Sequence, residues 1–375
     1  MGMTIDQAAM PPTPVEDGCS VHSGRLSIGG VSVQVAGDRR TDVIFDSGLE
    51  PFCVKAGTAD IDIQVEWVGE LSLATRRPLF DSGTTWRLYE LEAGFQFDFG
   101  DPIAQGQPYK RLLVDRCYRR AVLQMSAKHF ASFPHAVDPL AYPLDELLIM
   151  HRLTQEKAIE LHGCGIVRAD GTGSLFVGHS GAGKSTTTRL WTEREDVEVL
   201  SDDRIIVRRD EDRRDAERRN DAAVETPVRA ADGIGGVGVL RLRDRSASPT
   251  VHSAQDDKTE KQIPHRAFGP IRNDKGKMRM YGTPWHGEAM YASPGSSPLT
   301  RIFVLEHGHG NVITRLSPSQ AVAELFARSF VPFHRHEYVD SALQFLQELV
   351  DTVPCYRYSF EPDRRAVETV QEFQD

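Results

Sequence analysis

Cysteine is scarce in this sequence, and its few copies are scattered along the chain. The five are Cys19, Cys53, Cys117, Cys164 and Cys355. No two of them form a CxxC pair and their number is odd, so they indicate neither a disulfide framework nor a thiolate zinc site. A reducing cytoplasm is therefore the expected location.

Long apolar runs are also missing, and so is any excess of positive charge. The chain has 375 residues with 40% hydrophobic side chains, and no window reaches the apolar length of a membrane span. Its first 17 residues lack the basic start and apolar stretch of a secretion signal. The formal net charge of −10 argues against general nucleic-acid binding. We expect no membrane or nucleic-acid partner, and any phosphate site must be local.

Alternation of apolar and polar residues predicts strands in the first third of the chain. It is clearest at 60–67 and 86–92. Helical spacing follows from Pro143, which suits the first turn of a helix. The predicted organisation is a mobile tail at 1–20, a β-rich N-terminal lobe at 21–140 and a second lobe at 141–375.

The second lobe opens with two short apolar runs, Ile159–Val167 and Ser174–Val177, joined by a segment with an Asp-Gly pair. That pair is typical of a tight turn, so we predict a β-hairpin. Dense mixed charge from about 208 to 277 predicts an insertion, partly mobile. The other predicted elements are helices at 186–195, 319–329 and 338–350 and strands at 197–200, 302–305 and 355–360.

The strongest motif is the run Gly178–Ser185, GHSGAGKS, which matches the phosphate-loop pattern GxxxxGK[ST] between a strand and a helix. Glycines let backbone N–H groups wrap a phosphate, and the helix N-terminus adds partial positive charge. We expect Lys184 to neutralise the phosphates of ATP and Ser185 to bind Mg²⁺; an ordinary glycine turn leaves the lysine unexplained. The predicted nucleotide-binding residues are Gly178, His179, Ser180, Gly181, Ala182, Gly183, Lys184, Ser185 and Thr186.

Two adjacent acids, Asp202 and Asp203, follow the next predicted strand. The carboxyl ends of strands are where α/β sheets bind their ligands. One acid is expected to hold Mg²⁺ directly or through water, and the other to take a proton from an attacking hydroxyl. The alternative is a turn or a helix cap. The sequence does not say which acid has which role.

The order of these motifs resembles a known family. His162-Gly163 leads into the hairpin, the phosphate loop follows, and Ser-Asp-Asp comes one strand later. This resembles the catalytic domain of HPr kinase/phosphorylase, a relative of phosphoenolpyruvate carboxykinase, and is most similar to bacterial HPr-kinase-related proteins with a β-rich N-terminal region. The strict match covers about 160–207, and a looser one extends over 281–332.

The resemblance implies an α/β fold, in which a carboxykinase-like P-loop nucleotide domain with a mixed sheet is preceded by the β-rich lobe. It implies a kinase that transfers the γ-phosphoryl group of ATP to a serine-type hydroxyl of a protein, peptide or small molecule. The catalytic residues that it implies are His162, Lys184, Asp202 and Asp203, with Ser185 and Asp203 as the Mg²⁺ residues.

One part of the family pattern is absent: a Glu followed by Arg-Gly does not appear after the acid pair. The charged insertion stands in its place, and HPr itself is therefore not implied as the acceptor. The segment Gly282–Glu288, GTPWHGE, is a candidate replacement, with His286 and Glu288 as catalytic candidates. The alternative for this segment is a Pro-Trp turn that packs against the core.

Three weaker signals can be explained without a catalytic role. Gly233–Gly238 matches GxGxxG but does not follow a strand, so no dinucleotide site is predicted there. Lys277 and Arg279 are either surface charges or cations for the transferred group. Four histidines are interpreted as solvated loop residues because they lack the spacing of a closed metal site. They are His307, His309, His334 and His336.

Two other classes of function remain open at this stage. One is a nucleotide-gated binding or scaffold protein with little or no ATPase activity. The other is carboxykinase chemistry on a small oxoacid, which requires a second metal and an oxoacid constellation that the sequence does not show. The oligomeric state, including a homo-oligomer, is left undetermined.

Overall fold

The structure is a computed structural model, and it describes residues 23–37, 43–100, 107–131, 137–194, 196–209 and 278–374. Several sequence predictions lie outside these residues. They are the tail at 1–20, the glycine motif at 233–238, Lys277 and nearly all of the charged segment at 208–277.

The first sheet contains eight strands from the described residues between Ser23 and Ser126. In space they follow the order β1-β2-β3-β8-β7-β6-β5-β4, and β3 is parallel to both of its neighbours. The predicted alternation at 60–67 appears in β3, where Ile61, Ile63 and Val65 are buried between exposed polar residues. The strands are β1 (Ser23–Ile28), β2 (Val31–Ala36), β3 (Ile61–Val68), β4 (Phe80–Asp81), β5 (Trp86–Glu90), β6 (Gly94–Gly100), β7 (Pro108–Asp115) and β8 (Arg120–Ser126).

The second sheet contains nine strands from the described residues that follow. Its main path is β10-β9-β12-β13-β14-β17-β15, while β11 and β16 also pair with β9, and β10 with β14. The strands are β9 (Ala158–Arg168), β10 (Gly173–Val177), β11 (Val197–Ser201), β12 (Arg204–Arg209), β13 (Met278–Tyr281), β14 (Ser296–His307), β15 (Val312–Arg315), β16 (Ser329–Phe330) and β17 (Cys355–Phe360).

The long strand β9 organises this second sheet. It pairs antiparallel with β10, where Gly163 lies opposite Val177, and with β12, where His162 lies opposite Arg204. The predicted hairpin is thus present, with Gly171 at φ 79° in its turn. Because β10, β14 and β17 run parallel to one another, the sheet is mixed, and the prediction of a mixed α/β sheet is confirmed.

Six α-helices and one short 3₁₀ helix accompany the sheets in the described residues. The predicted helix at 186–195 begins earlier, at Lys184, and the one at 319–329 ends earlier because Ser329 and Phe330 pair with β9. No helix in the described part of the chain is both long and apolar enough to cross a membrane. The helices are η1 (Glu50–Phe52), α1 (Ala127–Phe130), α2 (Leu144–Leu153), α3 (Lys184–Thr192), α4 (Pro318–Phe326), α5 (His336–Thr352) and α6 (Arg364–Glu372).

Apolar side chains of the two sheets share one continuous core. Leu26 and Val33 of the first sheet belong to the same buried cluster as Ile205 and Ile302 of the second. A separate cluster beside α3 and α6 includes Trp191. Since burial of apolar surface is the main favourable term in folding, the shared core fixes the phosphate-loop sheet against the β-rich sheet.

Two arginines at the edges of the charged segment are buried in the sheet. Arg208 donates to the Gly29 carbonyl at 2.9 Å and forms an ion pair with Glu156, so β12 extends two residues into the range predicted as an insertion. Arg279 is buried in β13 and donates to Ser296 Oγ at 3.4 Å. The local composition predicts exposed charges at both positions. Both arginines are buried instead, because their strands pair with neighbouring strands.

Candidate active site

The phosphate loop lies at the carboxyl end of β10 and leads directly into α3. The Ala182 N–H donates to the His179 carbonyl at 3.0 Å, which closes a tight turn with Gly181 at φ 80°. Gly183 has φ 102°, and a Cβ there would lie 2.5 Å from Phe360 Cζ. Left-handed backbone and lack of space both favour glycine, so the geometry explains two glycines of the motif.

The first turn of α3 offers unpaired backbone donors. Its N-cap is Gly183, which provides no side-chain hydrogen bond. The first N–H groups of a helix have no intrahelical acceptor, and together with the helix dipole they attract anions. Ser185 and Thr186 are half-buried in this turn, while Ser180 and Gly181 are exposed at the loop apex. The chemistry of these donors suits a phosphate group.

Lys184 is buried and folds back over the loop. Its Nζ donates to the carbonyls of Gly178 at 3.0 Å and His179 at 3.2 Å. Burial lowers the pKa of this ammonium group, and the negative charge of Asp203 partly opposes that effect. The lysine of the phosphate loop and the second acid of the Asp-Asp pair are therefore electrostatic neighbours.

His162 and Asp203 form a close pair beside the loop. His162 Nε2 lies 2.8 Å from Asp203 Oδ1, and the Gly163 N–H donates to the backbone carbonyl of Asp203 at 3.0 Å. Burial acts to raise the pKa of Asp203, but the hydrogen bond from His162 and the charges of Arg204 and Lys184 outweigh it. The pKa is held below its ordinary value. Asp203 is thus an ionised carboxylate at neutral pH.

Asp202, in contrast, is almost fully buried and anchors a loop. Its carboxylate accepts three backbone N–H groups, from Gly287 at 2.9 Å, Ala289 at 2.8 Å and Tyr291 at 3.2 Å. Both of its oxygens are therefore committed to the segment that follows the Pro-Trp turn. The two adjacent acids have different surroundings, and only Asp203 pairs with the histidine.

The Gly282–Glu288 segment packs against the acid pair, as a Cβ on Gly287 would lie 3.3 Å from Asp203 Cβ. Trp285 is buried, and its Nε1–H donates to Asp145 Oδ2 at 2.7 Å. This burial accords with the alternative of a turn that packs against the core.

His286 and Glu288 of the same segment are exposed. His286 Nδ1 lies 3.2 Å from the Gly287 carbonyl. Within the described ranges, neither side chain hydrogen-bonds to His162, Lys184 or the acid pair. The structure brings the segment to the site but leaves these two side chains at its margin.

A buried ionic cluster behind Asp203 was missed by sequence reasoning. Arg204 Nε lies 2.9 Å from Glu146 Oε1 and 3.5 Å from Glu160 Oε1, and the same guanidinium group pairs with Asp203 Oδ2. Its Cζ stacks over the Phe330 ring at 4.1 Å. Glu160 is fully buried, and burial and the charge of Glu146 raise its pKa well above the ordinary value.

One signal for this cluster was present in the sequence. Glu160 precedes His162 by two positions, so the two side chains share a face of the same strand. Arg204 directly follows the acid pair and lies opposite His162 in the antiparallel register. Glu146, from α2, gave no comparable signal because its approach depends on tertiary packing.

Arg328 is a second cation that sequence reasoning did not identify. Its guanidinium group pairs with Glu324 at 2.6 Å, and its positive charge contributes to lowering the pKa of Lys184. Its backbone carbonyl accepts the His162 N–H at 2.8 Å. The end of α4 therefore brings positive charge near the phosphate loop.

The four histidines interpreted as solvated loop residues differ in their surroundings. His307 ends strand β14, and His336 begins helix α5. His334 stacks on His151 with ring centroids 5.2 Å apart, and burial lowers its pKa to about 4. His307, His309 and His336 are exposed, which agrees with the predicted solvation, whereas His334 lies in a turn but is partly buried.

The donor set fits a magnesium nucleotide better than a metal held by protein alone. Within the described ranges, no three His, Cys, Asp or Glu side chains converge on one point. Magnesium in nucleotide sites uses one or two protein oxygens and completes its shell with phosphate and water. The hydroxyl of Ser185 and the carboxylate of Asp203 are oxygen donors of this kind.

The phosphate-loop motif and the His162–Asp203 pair thus lie side by side at one edge of the second sheet. The phosphate loop supplies backbone donors and Lys184, and the strand pair next to it supplies His162 and Asp203.

No protein-family profile matches the chain, and no curated protein matches it.

Proposed function

We propose that this protein is an ATP-dependent kinase that transfers the γ-phosphoryl group to a serine-type hydroxyl of a protein, peptide or small molecule. One observation carries the proposal: Asp203 is hydrogen-bonded to His162 at 2.8 Å, and the backbone carbonyl of that histidine accepts the Gly178 N–H of the phosphate loop at 3.4 Å. A phosphotransferase needs a base for the attacking hydroxyl next to a cradle for the phosphates.

The proposed fold is a carboxykinase-like nucleotide domain. The supporting features are the antiparallel β9–β10 hairpin that enters the loop and the acid turn between β11 and β12. Cys117, Cys164 and Cys355 are free thiols in the described part of the chain, which suits a reducing cytoplasm, where ATP is also available.

The phosphate loop would bind the triphosphate of ATP through the first-turn amides of α3. Lys184 would turn from the loop carbonyls that it now contacts toward the β- and γ-phosphates. This move is favoured because anionic phosphate oxygens attract the ammonium group more strongly than neutral carbonyl oxygens do. Ser185 and Asp203 would hold Mg²⁺, which when bound would supply charge neutralisation for the transferred group.

Asp203 is the base in this proposal, because Asp202 is almost fully buried and holds the 287–291 segment, whereas the Asp203 side chain is 24% exposed. His162 donates to Oδ1 of Asp203 and Arg204 pairs with Oδ2, so the carboxylate is held in place from both sides. The remaining lone pairs of these oxygens would accept the proton of the acceptor hydroxyl. The catalytic effect comes from positioning and charge neutralisation, as in phosphoryl transfer generally.

The test is phosphoryl transfer from γ-labelled ATP. The full chain is incubated with Mg²⁺, labelled ATP and fractionated cell extract, and wild type is compared with Lys184→Ala and Asp203→Ala. The matched control is Asp170→Ala, in the hairpin turn at the opposite end of β9 and β10 from the loop. We expect a labelled acceptor with wild type and control only.

Two results would count against the proposal. Equal ATP turnover in all four proteins without a labelled acceptor would exclude the kinase. Tight ATP binding by wild type without any transfer would instead support the nucleotide-gated binding protein.

A further inference from the structure

His307 contacts the phosphate loop although sequence reasoning assigned it to a solvated loop. Its Nε2 lies 2.6 Å from the carbonyl oxygen of Gly181, at the apex of the loop. A carbonyl oxygen only accepts, so Nε2 carries the hydrogen of this bond. The contact joins two segments that are 126 residues apart in the chain.

The sheet register brings His307 to this position. Strands β10 and β14 are parallel neighbours, with Val177 opposite Val304. The loop begins just after Val177, and β14 ends three residues beyond Val304, at His307. Because parallel strands end at the same edge of a sheet, the histidine and the loop apex meet there.

Phe360 supports the same part of the loop from the next strand. It lies opposite His307 in the parallel β14–β17 register, and the two rings stack with centroids 6.1 Å apart and planes at 27°. The Phe360 ring packs against Gly183 so closely that a Cβ there would lie 2.5 Å away. The stacked pair thus contacts both inner glycines of the Gly-Ala-Gly run, His307 at Gly181 and Phe360 at Gly183.

The hydrogen bond fixes a peptide unit that little else restrains. The Gly181–Ala182 unit is held at its N–H, which donates to the His179 carbonyl at 3.0 Å, and at its carbonyl, which accepts from His307. Gly181 has no neighbour within 4 Å of the position where a Cβ would lie. Without the histidine, the apex keeps one of these two bonds and the conformational freedom of glycine.

We propose that His307 is a positioning residue of the nucleotide site: its Nε2–H holds the Gly181 carbonyl and keeps the loop apex in the conformation that receives the triphosphate. This inference rests on the proposed function. A loop that is ordered before binding loses less conformational entropy when the ligand arrives, so removal of the bond weakens nucleotide affinity. It leaves the transfer step at saturating ATP nearly unchanged, because His162 and Asp203 do not depend on it.

Substitution of His307 by asparagine or glutamine distinguishes loss of the hydrogen bond from a general effect of losing the imidazole ring. The amide nitrogen of Gln reaches about as far as Nε2 of histidine, whereas that of Asn reaches only as far as Nδ1. The experiment therefore titrates full-length wild type, His307→Ala, His307→Asn and His307→Gln with a fluorescent ATP analogue and Mg²⁺. His309→Ala, two residues away and exposed, is the matched control.

We expect His307→Ala and His307→Asn to raise the Kd about three- to tenfold, the range that loss of one hydrogen bond gives. His307→Gln and His309→Ala should stay within about twofold of wild type, and kcat should change less than the KM for ATP. Unchanged affinity in His307→Ala, or equal weakening by Asn and Gln, would overturn the inference alone. A wild-type chain that binds no nucleotide would overturn the proposed function, and this inference with it.

Discussion

The two sides of the candidate site are built in different ways. The phosphate side consists of one continuous segment, 178–186, whose donors are mostly backbone amides and whose apex is exposed. The acid side joins Glu146 of α2, Glu160 of β9 and the adjacent Asp203 and Arg204 into an ionic cluster whose two glutamates are buried. A site made of backbone can be specified by glycine spacing alone, whereas a buried ionic cluster requires every partner to be present.

The largest expected effect is on the acid side, at Asp203. Asp203→Asn removes the proposed base while it keeps the size of the side chain, so phosphoryl transfer should fall about 10²- to 10⁴-fold. MgATP affinity should fall much less than the transfer rate, because the first-turn amides of α3, Lys184 and Ser185 are unchanged. Asp202→Asn should instead lower thermal stability, since that carboxylate holds three backbone amides. Initial rates, Kd and melting temperature are measured for both variants. If the two variants lost transfer activity equally and were equally destabilised, the two acids would not have the separate roles proposed.

Arg204 should be the most important residue for the stability of the acid side. Arg204→Met leaves the carboxylate of Glu146 and the buried acid Glu160 without their cation, and breaking a buried ion pair in this way costs about 3–5 kcal/mol of unfolding free energy. Adding Glu160→Gln should recover part of the loss. Urea unfolding curves measure both variants, with Arg365→Met, in an exposed ion pair, as the control. An Arg204→Met midpoint no lower than that of the control would contradict the account.

A glycine pair tests the phosphate side. Gly183→Ala introduces a side chain at φ 102° and against Phe360, whereas Gly171→Ala meets only the backbone strain at φ 79°. Left-handed backbone alone costs a non-glycine residue about 1–2 kcal/mol. We expect Gly183→Ala to exceed that loss and to abolish ATP binding, while Gly171→Ala binds ATP normally. Melting temperatures and nucleotide titrations of both variants test this prediction. Normal ATP binding by Gly183→Ala would contradict it, because the loop would then tolerate a side chain at this position.

The smallest effect is a pH dependence on the acid side, at Asp145. Burial raises the pKa of this carboxyl group from 3.8 to about 7. As the pH rises from about 4 to 7, the unfolded chain releases the proton while the folded chain retains it, so this group lowers the stability of the folded chain across that range. Asp145→Asn keeps an oxygen for Trp285 but cannot ionise, and its stability relative to wild type should therefore grow across this range.

Denaturation of both proteins at pH 5 and pH 8 measures that difference. Parallel changes in the two proteins would show that Asp145 titrates normally in the folded chain.

The same contrast explains what the sequence could predict. The β9–β10 hairpin, the helix after Lys184 and the acid turn depend on neighbouring residues, and the Asp-Gly turn, glycine spacing and apolar runs specify them locally. The helix begins at Lys184 rather than Thr186 because the left-handed Gly183 ends the loop.

The remaining features depend on partners that are distant in the chain. Arg204 pairs with Glu146 only because α2 packs against β9, and His307 reaches Gly181 only through the parallel register of β10 and β14. The separate roles of Asp202 and Asp203 likewise depend on a segment more than 80 residues away. No local pattern contains this information.

The most direct test of the central claim compares two positions of the label. Wild-type protein is incubated with Mg²⁺ and the same acceptor fraction, once with γ-labelled and once with α-labelled ATP, and Asp203→Asn provides the background. The account predicts label in the acceptor from γ-labelled ATP alone, well above that background. Label from α-labelled ATP, or none above the Asp203→Asn background, would contradict it.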